Sequence, residues 1–282
     1  MKTNRFFLFL SVIIAITVML SVSCKKAAIG DVTTPTGHLF FHLTTNIGTI
    51  KADSGKTEPD ANGRRFQLTY AEFYVSGVTL YNYTTATPYV IPGNAIVFKY
   101  IDNEDYYVAD VPAGNYGSVS FNIGLNPLTN LISPYSPGYP TPNPLSPRNP
   151  SMYFGQGQGY IFLNVQGLAD TTASHNGPVN FPFRYQLGTN SMFENIHITV
   201  QQFSIGVGQI TLESIRMPVQ QFSIVAGQIT YVHMVCDYGS LLQGIPFVHS
   251  ATPFNADSSV ARQIANRISN NFIRYELQTI QP

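Results

Sequence analysis

The chain has 282 residues, no net charge and only 11% charged residues, well below the roughly 25% of a typical soluble domain. A nucleic-acid-binding protein would need a basic patch to displace counterions from phosphate, and the short pairs Lys25–Lys26 and Arg64–Arg65 do not supply one. The sequence also lacks the GxSxG, HExxH and phosphate-loop motifs of common enzymes. These observations predict a binding or structural protein that is not an enzyme and binds no nucleic acid.

The first 23 residues have the layout of a secretory signal. Lys2 and Arg5 precede an uncharged apolar run over residues 6–22, and small residues stand immediately before Cys24. We interpret this as a bacterial lipoprotein signal cut before Cys24, whose thiol then carries the lipid that anchors the protein in the outer membrane, on its periplasmic or external face. The alternatives are an ordinary signal peptide or a membrane anchor helix, which needs about 18–20 apolar residues.

Residues 38–282 read as one β domain, after a tether over 24–37. Short runs of β-branched and aromatic residues alternate with Gly, Pro, Asn and Asp, as strands and turns do. The predicted strands are 38–45, 66–83, 95–101, 105–111, 116–125, 160–168, 181–188 and 192–205. Their even spacing predicts an all-β fold, an antiparallel β-sandwich of the Ig-like or jelly-roll-like kind.

Two segments depart from this strand pattern. Seven prolines between residues 133 and 151 exclude a helix or an inner strand and predict a long surface loop. Tyr135, Tyr139 and Tyr153 make this loop a candidate contact surface for an envelope protein or a glycan, because tyrosine offers contact area at low entropic cost. Near the C-terminus, apolar residues recur every fourth position over 258–272 and predict one short helix.

One segment is repeated almost verbatim. VQQFSIGVGQIT (200–211) and VQQFSIVAGQIT (219–230) share ten of twelve positions. Each copy alternates apolar and polar residues and then reaches a small-residue turn, which predicts a β-hairpin. Two copies are too few for a solenoid. We therefore predict a local tandem duplication in which one copy adds a hairpin at a sheet edge, without deciding which copy is the insertion.

The order of these segments resembles the MbnP-like family of bacterial envelope proteins, which includes relatives of the methanobactin-associated and methanotroph surface copper-binding proteins. The resemblance covers most of residues 38–275. It is carried by LFFHLTTNIGT, LTYAEFYVSGVTL, YIDNEDYYVADVPAGNYGSVSFNIGLNPLTN, MYFGQGQGYIFLNVQG, FRYQLGT and SSVARQIANRISNNF. It implies a secreted or lipid-anchored all-β domain, and a copper site built from histidines and an oxidised tryptophan.

The family's copper ligands transfer to this chain only in part. His42 matches the histidine of the opening strand, whereas Gln186 stands where the family has a second histidine. Phe154 and Gln156 occupy the two tryptophan positions, and the chain contains no tryptophan. Since copper prefers imidazole or sulfur ligands, we expect the family's copper site to be degenerate here.

Other histidines are candidate replacement ligands. His38 lies about 13 Å along the strand from His42, too far to share an ion, while His197 and His233 occupy strands that could pair. A metal site would bring two or more of these four histidines within about 4–5 Å. The acidic run over 102–105 lacks calcium-loop spacing and is interpreted as a solvated turn.

Two function classes therefore remain. The first is a lipid-anchored envelope binding protein with an altered copper site. The second is a structural or interaction lipoprotein that uses the Pro/Tyr-rich loop over 133–154 to contact a protein or glycan partner. Cys236, in an alternating run, is predicted to be a buried small hydrophobic residue.

Overall fold

The computed structural model describes residues 34–92, 97–99, 101–199, 221–247 and 259–276. Its strands are β1 (Thr36–Ile47), β2 (Ile50–Lys51), β3 (Thr57–Pro59), β4 (Arg65–Asn82), β5 (Pro88–Val90), β6 (Val97–Lys99), β7 (Asp105–Pro112), β8 (Gly114–Ile123), β9 (Tyr153–Gly155), β10 (Gly159–Ala169), β11 (Phe181–Gly188), β12 (Glu194–Thr199), β13 (Phe222–Ile224), β14 (Ile229–Asp237) and β15 (Ile273–Tyr275). Its helical elements are α1 (Pro127–Asn130), a 3₁₀ turn (Asn190–Met192), α2 (Tyr238–Leu242), α3 (Ser259–Arg267) and a π-helical turn (Ile268–Phe272).

The strands form two sheets. The first runs β15-β14-β1-β2, with β7 also paired to β1, and the second has the order β11-β10-β4-β8-β12 with short strands added to β4, β8 and β10. Alternate residues of β1 (Leu39, Phe41 and Leu43) are fully buried, as expected for a strand with one face on the core. The ring of Phe41 lies 5.6 Å from that of Phe121 on β8, which joins the two sheets. The predicted β-sandwich is confirmed.

One strand pair departs from antiparallel order. β1 runs parallel to β14 over nine residue pairs, from His38 opposite Ile229 to Asn46 opposite Asp237, whereas the other pairings among the described residues are antiparallel. On its opposite edge β1 pairs antiparallel with β7. β1 therefore lies between β7 on one edge and β14 on the other. The pairing with β14 places His42 beside His233.

The predicted C-terminal helix is confirmed. α3 continues into the π-helical turn, and Ile264, Ile268 and Phe272 are buried along it. Phe272 packs edge-on against Phe73 of β4 at 5.4 Å and against Tyr238 of α2 at 5.0 Å. The helix therefore lies against the apolar core and leads directly into β15, the edge strand that precedes Glu276.

The Pro-rich segment is irregular, as its prolines dictate. It is nevertheless attached to the second sheet: the hydroxyl of Tyr74 donates to the carbonyl of Pro144 at 3.3 Å, and that of Tyr160 donates to the carbonyl of Leu145 at 3.2 Å. Leu145 itself is buried. The loop thus covers part of the second sheet.

The repeated segment differs from the predicted hairpin where the structure describes it. β13 and β14 of the second copy hydrogen-bond to different partners, β13 to β8 in the second sheet and β14 to β1 in the first. The turn between them therefore passes from one sheet to the other. The first copy, 200–211, lies outside the described residues, as do Cys24 and the signal segment. No described helix is both long and apolar enough to span a membrane.

Candidate metal site

The site lies on the outward face of the first sheet, where β14, β1 and β7 run side by side. Because side chains alternate along a strand, the even-numbered residues of β1 face away from the core. In register, His42 lies opposite His233 on β14 and opposite Asp105 on β7. Strand pairing alone thus brings two imidazoles and a carboxylate together.

Glu276 adds a third metal-binding side chain. One ligand atom from each of His42, His233 and Glu276 lies within 4.8 Å of the others, and the two imidazole centroids are 4.7 Å apart. The backbone of Glu276 is fixed because its N–H donates to the carbonyl of His233 at 2.9 Å. Its carboxylate accepts a hydrogen bond from the hydroxyl of Thr44 at 3.3 Å. The three groups are therefore positioned to converge on one ion.

Two further carboxylates contact the ring of His42. Its Nδ1 lies 2.6 Å from Asp105 Oδ1, and its Nε2 lies 3.5 Å from Glu104 Oε2. The other oxygen of Glu104 pairs with the ammonium of Lys51 at 2.8 Å. The hydrogen bond that the Lys51 ammonium donates to Glu104 raises the pKa of Lys51 above its usual value. Both acids belong to the acidic run over 102–105, which begins in a turn and is largely exposed, as the sequence suggested, but their contacts with His42 were not predicted.

The surroundings favour a neutral imidazole at His233. Burial, followed by the nearby His42, lowers the pKa of His233 below its ordinary value, although Glu276 and Asp105 oppose the effect. A neutral imidazole has a free lone pair for a metal. The side chains of His42 and Glu104 retain 23% and 24% exposure, so an ion can reach the site from solvent.

The donor set fits a transition metal. Two imidazole nitrogens and a carboxylate oxygen are a ligand combination that Zn²⁺ accepts, and imidazole also suits Cu²⁺. The contact of Asp105 with Nδ1 has the form of the carboxylate–histidine pair that orients a ligating ring and leaves Nε2 for the metal. His42, His233 and Glu276 would hold the ion, and Asp105 would orient His42.

The remaining candidate histidines lie elsewhere. His38 shares the outward face of β1, but its Nδ1 contacts Asp110 at 2.6 Å. His197 lies on β12 of the second sheet, opposite Ser120. The strands of His197 and His233, whose pairing the sequence left open, do not pair with each other, because β12 pairs with β8 and β14 with β1.

The family positions that lack ligands are also placed away from His42. Gln186 is buried on β11 of the second sheet. Phe154 packs beside Gly188, where an added Cβ would lie 2.6 Å from Phe154 Cε2, and Gln156 is exposed. The side chains that replace the second histidine and the tryptophans therefore belong to the other sheet.

The three loop tyrosines differ in exposure. Tyr135 is 78% exposed, whereas Tyr139 and Tyr153 pack against the core. The ring of Tyr153 lies 5.2 Å from that of Tyr160. Cys236 is fully buried, as predicted.

Sequence reasoning missed Glu276 as a candidate ligand, and Glu104 and Asp105 as partners of His42. The available signal for Glu276 was an acidic residue a few positions after the predicted helix of 258–272. For Glu104 and Asp105 it was a pair of acids at the start of a strand rich in tyrosine. Neither signal reveals a site unless the strand partners are known.

Comparison with known proteins supports the family assignment. A family model described as MbnP matches residues 36–259. The solved structure of MbnP from Methylosinus trichosporium superimposes with a TM-score of 0.52, at 10% identity, over 81% of this chain and 87% of that one. At this identity the superposition shows a shared fold. No curated protein sequence matches the chain.

Proposed function

Since the chain belongs to the MbnP family, we propose that it is a metal-binding protein of the bacterial cell envelope, with a transition-metal site formed by His42, His233 and Glu276. Copper is the metal that the family resemblance implies. The site proposed here shares only the opening-strand histidine with the family pattern. The other two ligands come from β14 and from the residue after β15.

One observation carries the proposal. Ligand atoms of two histidines and one glutamate lie within 4.8 Å of one another. The histidines are on the paired strands β1 and β14, and Glu276 directly follows β15 and hydrogen-bonds to the backbone of His233. Ligands about 2.0–2.2 Å from a common ion lie at such separations. A pair of surface histidines without function would not need the hydrogen bonds from Thr44 to Glu276 and from His42 to Asp105.

The envelope location rests on the sequence. The basic start, the apolar run over 6–22 and the small residues before Cys24 support export and lipid attachment at Cys24. The proposed anchor is a lipid in the outer membrane, and the β domain would bind its metal outside the cytoplasm. The proposed role is binding rather than catalysis, because the sequence carries none of the common catalytic motifs.

The test is a titration of the soluble domain, without the signal and Cys24, against Cu²⁺, Zn²⁺ and Cu⁺ in the presence of a competing chelator. One ion per chain is expected. His42→Ala and His233→Ala should each weaken binding by at least about 100-fold, the upper end of what loss of a residue supporting a ligand costs. His197→Ala is the matched control, since this histidine lies in the other sheet. If all three variants bind like the unmodified domain, the proposed site is wrong.

A second candidate function rests on a different surface. Leu128, Leu131, Ile132 and Tyr135, around α1 and the start of the Pro-rich loop, are 40–78% exposed. Exposed apolar side chains grouped in this way are typical of contact surfaces. This group favours an interaction role for the loop, and it becomes the leading candidate if the titration shows no metal site.

A further inference from the structure

We infer that Glu104 is a fourth ligand of the site, and that the resulting set of two imidazoles and two carboxylates selects divalent ions, Zn²⁺ and Cu²⁺, over Cu⁺. This inference rests on the proposed metal-binding function and specifies the charge state of the ion. It concerns residues that the family's motif does not mark as ligands.

The distance between Glu104 and His42 is close to the distance between two ligand atoms of one metal ion. Two ligand atoms at about 2.0 Å from a tetrahedral ion lie about 3.3 Å apart, and Glu104 Oε2 lies 3.5 Å from His42 Nε2. The contact of Nδ1 with Asp105 turns Nε2 towards Glu104. Glu104 is not among the side chains whose ligand atoms all lie within 4.8 Å of one another, so its carboxylate must move towards His233 and Glu276 to bind an ion held at Nε2.

Lys51 holds the carboxylate of Glu104 in the required orientation. Its ammonium pairs with Oε1 at 2.8 Å and leaves Oε2 on the side of His42. Lys51 is itself on β2, the strand next to β1. The neighbouring strands β1 and β2 therefore hold His42 and Lys51 on either side of the Glu104 carboxylate.

The charge and the hardness of the donor atoms determine which metal ion the site prefers to bind. Glu104 and Glu276 bring two negative charges, which match a divalent ion. Carboxylate oxygen suits hard and borderline ions, whereas Cu⁺ prefers soft sulfur ligands. The two sulfur residues of β14, Met234 and Cys236, are fully buried on its core side, opposite His233. The described residues therefore offer the ion nitrogen and oxygen from the outward face, and no sulfur of β14.

The experiment compares Glu104→Gln with Glu58→Gln in the soluble domain. Glutamine keeps the size of the side chain and removes its charge, and Glu58 is a control because it lies on β3 in the second sheet. Affinities for Zn²⁺, Cu²⁺ and Cu⁺ are measured by chelator competition, and the Cu²⁺ forms are also compared by electron paramagnetic resonance.

Glu104→Gln should weaken Zn²⁺ and Cu²⁺ binding by at least about 10-fold, while the Cu⁺ affinity changes by less than about threefold. It should also alter the hyperfine splitting of bound Cu²⁺, and Glu58→Gln should change neither. The inference is overturned if His233→Ala abolishes binding but Glu104→Gln behaves like Glu58→Gln, or if Glu104→Gln weakens Cu⁺ as much as the divalent ions. If His233→Ala has no effect, or the unmodified domain binds no ion, the proposed function fails as well.

Discussion

Gly159→Ala should destabilise the domain by disrupting the contact between the end of α1 and the start of β10. Gly159 has φ +81°, and an added Cβ would lie 2.6 Å from Asn130 Cγ. The amide oxygen of Asn130 accepts the backbone N–H of Tyr160 at 2.7 Å, and both residues are buried. The methyl group must therefore push Asn130 away and leave that N–H without its acceptor.

The magnitude follows from two costs. A non-glycine residue in the left-handed region costs about 1–2 kcal/mol, and an unsatisfied buried donor costs about 1–3 kcal/mol. Together these give about 2–5 kcal/mol of lost unfolding free energy, a large part of the roughly 5–15 kcal/mol that holds a typical domain.

Urea unfolding of the soluble domain measures the loss, as a lower midpoint at a similar slope. Gly227→Ala is the matched control, because Gly227 has φ +70° but nothing lies within 4 Å of its added Cβ. Gly227→Ala should lower the unfolding free energy only by the cost of the left-handed backbone conformation, about 1–2 kcal/mol. Equal losses in the two variants would show that the contact with Asn130 carries no weight, and would refute the reasoning.

Two further predictions concern the anchor and one buried acid. Cys24→Ser in the full chain should move the protein from the membrane fraction to the soluble fraction and remove the lipid mass, while Cys236→Ala should do neither; a Cys24→Ser protein that stays membrane-bound would contradict lipid anchoring. The pKa of Asp170 is held at about 2, first by the hydroxyl of Thr172, which donates to it at 2.6 Å. A carboxyl with a lowered folded-state pKa stabilises the protein above its unfolded value of about 3.9, and this contribution is lost as the pH falls towards the folded value. Thr172→Val should raise the Asp170 pKa by NMR titration and shift the acid loss of stability to higher pH; an unchanged pKa would contradict the assigned cause.

The sequence was informative where structure depends on neighbours along the chain. Alternation predicted strands such as 66–83 and 181–188, a four-residue period predicted the helix of residues 258–272, and the prolines of 133–151 predicted an irregular loop. In each case the signal is local, because a strand or helix buries one face of its own sequence.

The site was not predictable in this way because it depends on pairing between distant strands. Asp105 is 63 residues from His42, and Thr44 is 232 residues from the Glu276 that it contacts. A period-two pattern states that a strand has an outward face but does not identify its neighbour. The same limit explains the repeat: its turn was recognised, but the pattern could not indicate that β13 and β14 enter different sheets.

The most direct test of the account is a crystal structure of the soluble domain soaked with Zn²⁺ or Cu²⁺, with the ion located by its anomalous signal. The account predicts a single ion bound by His42 Nε2, an imidazole nitrogen of His233 and the Glu276 carboxylate, each at about 2.0–2.2 Å. An ion held instead at His38 and Asp110 or at His197, or no ion at any of these positions, would contradict it.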